Sequence, residues 1–137
     1  MLNDGRIPTL ISAEAGLLRD SLITILGSFP FIDVVGVVAE KCSILDAIHQ
    51  FHPDLVLVDC SNNTQWIEII HAIHGLLVEV KCVAIVDTFQ TRRLALENGA
   101  DSALIKGFTS QELQLAVRQV FSHNQAMVDP ADEKNRK

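Results

Sequence analysis

Short apolar runs alternate along the chain with longer stretches in which apolar residues recur every three or four positions. That alternation predicts strands and helices in turn, the pattern of a parallel sheet covered by helices on both faces. Thr9 to Ser12 reads as a first strand. Ala15 to Gly27 reads as a helix with Leu17, Leu18, Leu22, Ile25 and Leu26 along its inner face, and Pro30 then breaks the chain. Asp33 to Ala39 is valine-rich and bounded by turn residues, as a second strand is. A helix is predicted from about Ser43, a suitable N-cap, to Phe51, and His52 followed by Pro53 ends it.

Leu55 to Val58 is uniformly apolar and ends at Asp59, the form of a central strand buried on both faces. A third helix follows with Trp66, Ile67, Ile70, Ile73 and Leu77 inside, then a strand from Cys82 to Val86 and a shorter helix from about Thr91 to Glu97. Asn98-Gly99 closes that helix in the manner of a left-handed cap. Ser102 to Ile105 gives the fifth strand, and Ser110, with Glu112 nearby, opens a last helix running to about His123. The segment from Asn124 to Lys137 is polar, contains Pro130 and has no periodicity, so residues 1–123 read as one domain and 124–137 as a tail or the start of a linker.

Composition narrows the function classes. The chain has 137 residues, 48% hydrophobic and 20% charged, enough for one core without disulfides or metal. No apolar run is long enough to span a bilayer, and Met1 to Pro8 lacks the basic start and apolar centre of a secretory signal, so a soluble cytoplasmic protein is expected. Cys42, Cys60 and Cys82 are odd in number without CxxC spacing, which suits buried thiols. A formal net charge of −6 disfavours direct nucleic-acid binding, which needs a basic face.

In an open parallel sheet, ligands bind beyond the carboxyl ends of the strands. That rule selects Glu14, Asp59, Asp87 and Lys106, which follow the first, third, fourth and fifth strands. Three carboxylates and an amine at one edge suit a magnesium ion together with a phosphoryl group. Glu68, His71 and His74 recur at helical spacing, but Ile67, Ile70 and Ile73 point the other way, so this reads as a solvated face rather than a metal site.

Five segments carry a specific resemblance: Gly16 to Leu22, Ile32 to Gly36, Pro53 to Asp59, Gly99 to Asp101 and Leu104 to Lys106. In this order and spacing the chain resembles the response-regulator receiver family, above all the subfamily with LuxR-type helix-turn-helix output, over about residues 6–121. The resemblance implies a doubly wound, CheY-like (flavodoxin-like) α/β fold, with five parallel strands in the order 2-1-3-4-5 and five helices. It implies a non-enzymatic signalling domain in which Asp59 accepts a phosphoryl group from a histidine kinase or a small phosphodonor. Magnesium would be held by Glu14, Asp59 and the backbone carbonyl of Ser61, and Lys106 would pair with the phosphoryl oxygens. Output would be transcriptional, through a domain outside this chain, with a homodimer as a possible state.

The sequence also departs from the family's pattern. Ala13 stands where a second acid is usual, which implies weaker magnesium binding. Asp87 stands where a hydroxyl residue ends the fourth strand, although a one-residue shift places Thr88 there. Two like charges roughly 4 Å apart repel by about 4 kcal/mol at an effective dielectric near 20, enough to suppress phosphorylation. Ala103 replaces the aromatic switch residue, and Asn62, Asn63 and Thr64 replace a methionine-proline-glycine pattern. These departures imply the alternative of a phosphorylation-independent pseudo-receiver that acts as an interaction or dimerisation module. An aspartyl-nucleophile hydrolase ranks below both, because Asp59-Cys60-Ser61 lacks the second aspartate such enzymes use as acid.

Overall fold

A computed structural model describes residues 5–39, 44–61, 65–76 and 79–122. Five strands alternate with five helices: β1 (Ile7–Ser12), α1 (Leu17–Gly27), β2 (Ile32–Val38), α2 (Ile44–Phe51), β3 (Leu55–Asp59), α3 (Gln65–His74), β4 (Lys81–Val86), α4 (Phe89–Glu97), β5 (Ser102–Ile105) and α5 (Ser110–Val120). All strand pairs are parallel, and the order across the sheet is β2-β1-β3-β4-β5. The chain therefore has the doubly wound fold expected from its alternating pattern. No helix among the described residues is long and apolar enough to cross a membrane.

Strand alternation divides the core in two. Leu10, Val56, Val58, Ala84 and Val86 face α2, α3 and α4, while Ile11, Leu55, Leu57, Val83 and Ile85 face α1 and α5. The residues from Leu55 to Val58 are all fully buried, because helices cover both sides of the central strand. At the far end of the strands, Asp101 accepts a hydrogen bond from the Cys82 amide at 2.8 Å and donates its own amide to the Cys82 carbonyl at 2.8 Å, which secures the start of β4. The aspartate in the Gly99 to Asp101 turn is thus structural.

Several boundaries and faces differ from those the sequence predicts. Leu17, expected on the inner face of α1, is 83% exposed; it opens the helix, before the first turn has come over the sheet. In α3 the buried stripe is Trp66, Ile69, Ile70 and Ile73, with Ile67 only partly covered, so the inward face is turned by one position from the expected one. α4 begins at Phe89 instead of Thr91, because Thr88 is its N-cap and accepts a hydrogen bond from the Thr91 amide. In α5 the cap is Thr109, one residue before Ser110, in a complete capping box with Glu112. The positions of Ser43, Leu77, Cys42, Asn62, Asn63, Thr64, His123 and the segment 124–137 lie outside the described residues.

Candidate functional site at the carboxyl edge of the sheet

Each strand that ends at this edge delivers its last polar residue by simple periodicity. β3 carries Asp59 as its final residue, paired in register with Ile85 of β4. β4 ends one residue before Asp87, and the Lys106 amide donates to the Val86 carbonyl at 2.8 Å, so Lys106 leaves the sheet directly beside that turn. Gly107, at φ 101°, then turns the chain toward α5 in a conformation that side-chain-bearing residues avoid.

The predicted residues assemble as two pairs along the edge. Glu14 and Asp59 line one small cleft with Ser12, Ala13, Ala39, Gln65, Trp66 and Ile69. Its volume is about 30 Å³, room for an ion or a water or two and not for an organic substrate. The second pair is Lys106 and Asp87, whose charged atoms are 3.3 Å apart; their side chains are 39% and 48% exposed. Lys106, expected to pair with a phosphoryl group, is thus engaged by the carboxylate of Asp87.

Asp59 is half-buried, and one of its oxygens, Oδ1, accepts two hydrogen bonds from Ser61: 3.0 Å from the amide and 2.5 Å from the hydroxyl. Among the described residues, both hydrogen bonds to the Asp59 carboxylate fall on Oδ1 and none on Oδ2. Beyond the carbonyl role that the family resemblance implies for Ser61, its hydroxyl holds Asp59, and the Asp-x-Ser spacing favours such a local turn. The backbone is held as well, since the Cys60 amide donates to the Ile85 carbonyl at 2.8 Å.

Electrostatically the edge is acidic. The Cys60 thiol is pushed from its ordinary value of 9.0 up to about 12, first by burial and then by the charge of Asp59, with Asp87 contributing in the same sense. Burial likewise pushes the Cys82 thiol up. Both cysteines are therefore neutral packed thiols, as their lack of motif spacing implies.

The other candidates are placed as follows. Thr88 caps α4: its oxygen accepts from the Thr91 amide and donates to the Thr91 hydroxyl, both at 3.0 Å. Ala103 is buried under the guanidinium of Arg92, which donates to its carbonyl at 3.1 Å, and it borders a groove of about 360 Å³ between α4 and α5. On α3, Glu68, His71 and His74 are exposed; His71 bonds to Asn98 and His74 packs against Gly99. Among the described residues, no three His, Cys, Asp or Glu side chains are grouped to hold a metal ion. Glu14 and Asp59, which line one cleft, offer the carboxylate oxygens that a hard cation takes as ligands.

No protein-family model matches the chain, and no curated protein matches its sequence. Solved structures do match. The signal receiver domain of the response regulator NarL from Mycobacterium tuberculosis is 22% identical, with a TM-score of 0.73 over 82% of this chain and 93% of that one. A two-component response regulator of the LuxR family from Aurantimonas sp. SI85-9A1 is 16% identical, with a TM-score of 0.77 over 86% of each chain. A response regulator from Chloroflexus aurantiacus J-10-fl is 17% identical, with a TM-score of 0.77 over 85% of this chain and 98% of that one. The chain thus has the fold of the receiver domains of response regulators.

Proposed function

We propose that this chain is the receiver of a phosphorelay, a signal-input domain in which Asp59 accepts a phosphoryl group from a histidine kinase or a small phosphodonor. The observation that carries this reading is Asp59 at the carboxyl end of the buried central strand, sharing a cleft with Glu14. In the reaction, Asp59 Oδ2 forms a bond to phosphorus as the donor's bond to phosphorus breaks and its electrons leave with the donor, giving an acyl phosphate. Ser61 holds the other carboxylate oxygen and so orients the attack. Glu14, Asp59 and the Ser61 carbonyl would hold magnesium, which would supply charge neutralisation for the transferred group. Lys106 is the cation available to the phosphoryl oxygens once it leaves Asp87. Residues 1–123 act as the receiver and 124–137 as a tail or the start of a linker, with transcriptional output carried by a domain outside this chain.

A second reading is favoured by that ion pair: a pseudo-receiver that works as an interaction module without phosphorylation. Incubation with acetyl phosphate and magnesium, followed by peptide mapping, separates the two. The receiver reading expects slow, partial modification at Asp59 and none in Asp59→Asn. Complete absence of modification in wild type would support the pseudo-receiver.

A further inference from the structure

The Lys106–Asp87 pair adds a side-chain link between two turns that the backbone already sets side by side. Lys106 follows β5 and Asp87 follows β4, each one residue beyond the last ladder pair, Val86 with Ile105. The main chain of Lys106 is fixed by its hydrogen bond to Val86. Asp87 is instead followed at once by Thr88, the N-cap of α4, whose hydroxyl accepts from the Thr91 amide and whose carbonyl accepts from the Arg92 amide at 2.9 Å. Whatever holds Asp87 therefore holds the first turn of α4. That turn carries Phe89, an apolar side chain 78% exposed.

We propose that the Lys106–Asp87 ion pair is a latch on the first turn of α4, and that a phosphoryl group on Asp59 opens it by drawing the lysine away. The exchange would take the place of the aromatic rotation that Ala103 makes impossible. An amine can satisfy one anion at short range or another. A phosphoryl group carries more charge than a carboxylate and offers three strong acceptor oxygens, so it competes well for a half-exposed lysine. Asp87, released, no longer tethers the Thr88 cap, and α4 and Phe89 become free to rearrange. A two-state element biased by one charge contact is the minimum a signalling domain needs. The latch is a property of the resting chain; its opening by phosphoryl rests on the receiver reading above.

Amide hydrogen exchange at Thr91 and Arg92, followed by NMR, tests both parts. Lys106→Gln and Asp87→Asn should each speed exchange at these two amides by about two- to fivefold, the size expected for a half-exposed ion pair. The double variant should be no faster than either single one, because both remove the same contact. If only Asp87→Asn speeds exchange, Asp87 serves the helix dipole alone and the latch is wrong; no change in either variant overturns it equally. Beryllium fluoride with magnesium should then reproduce the Lys106→Gln change in wild type. Its binding at Asp59 without a change at Thr91 and Arg92 would overturn the exchange and leave the receiver standing. No binding at all would bring down the receiver reading and the exchange together, with the latch decided by the two variants.

Discussion

At the scale of single residues, the chemistry turns on which anion each cation meets. Ala13 borders the cleft of Glu14 and Asp59 without adding a carboxylate to it. Ala13→Asp should therefore tighten magnesium binding severalfold, read from Trp66 fluorescence, since the indole lines the same cleft. An unchanged titration would show that the cleft does not hold the ion through these oxygens. Cys60 gives a pH prediction. Its thiol is raised in the folded state from 9.0 to about 12, so above pH 9 the unfolded chain loses a proton that the folded chain keeps. Its contribution to stability is thus complete below pH 9 and falls as pH rises toward 12. Denaturant midpoints should drop over that window, less steeply in Cys60→Ala; equal slopes would contradict the assignment. The placement of Asp59, Glu14 and Lys106 at one edge of the sheet is legible from sequence because strand ends can be counted along the chain. The Lys106–Asp87 pairing is not, because a chain pattern places residues at an edge without saying which of them touch.

At the scale of elements, strands were easier to read than helix starts. A buried strand announces itself by an unbroken apolar run, as in Leu55 to Val58. A helix start depends on which hydroxyl takes the cap: the pattern puts the fourth helix's start at about Thr91 and the last one's at Ser110, whereas Thr88 and Thr109 are the caps. The turn after α4 has the left-handed Gly99 that the Asn98-Gly99 pair predicts, and it carries an energetic test. Gly99 has φ 116°, and a Cβ there would lie 2.7 Å from His74 Cγ and 2.9 Å from its Cβ. Gly99→Ala should cost about 1–3 kcal/mol in chemical denaturation, from strained backbone and displacement of the His74 ring. A loss below a few tenths of a kcal/mol would mean that the α3 to α4 junction yields easily. The same contact explains why the α3 histidines do not read as a metal site: one is bonded to Asn98 and the other packs on the cap.

At the scale of the whole molecule, the two-sided core makes the fold insensitive to the details of the carboxyl edge, which is why the fold is plain while the edge departs from the usual pattern. On the receiver reading proposed above, Ala103 also bears on association. A receiver with alanine at that position would lack ring rotation as a route for gating the α4, β5 and α5 face, or the face of α1 and α5, by phosphorylation. Sedimentation mass should be the same for wild type and Asp59→Ala across micromolar concentrations, whether monomer or dimer. A mass that rises in wild type only with beryllium fluoride would restore an ordinary phosphorylation switch. The central claim is that Asp59 is a phosphoacceptor slowed by the carboxylate that occupies its lysine. An intact-mass time course with acetyl phosphate and magnesium tests it most directly, on wild type, Asp59→Asn and Asp87→Thr. The account predicts slow, partial gain of one phosphoryl group in wild type, none in Asp59→Asn, and clearly faster gain in Asp87→Thr. Equal rates in wild type and Asp59→Asn, or no acceleration in Asp87→Thr, would contradict it.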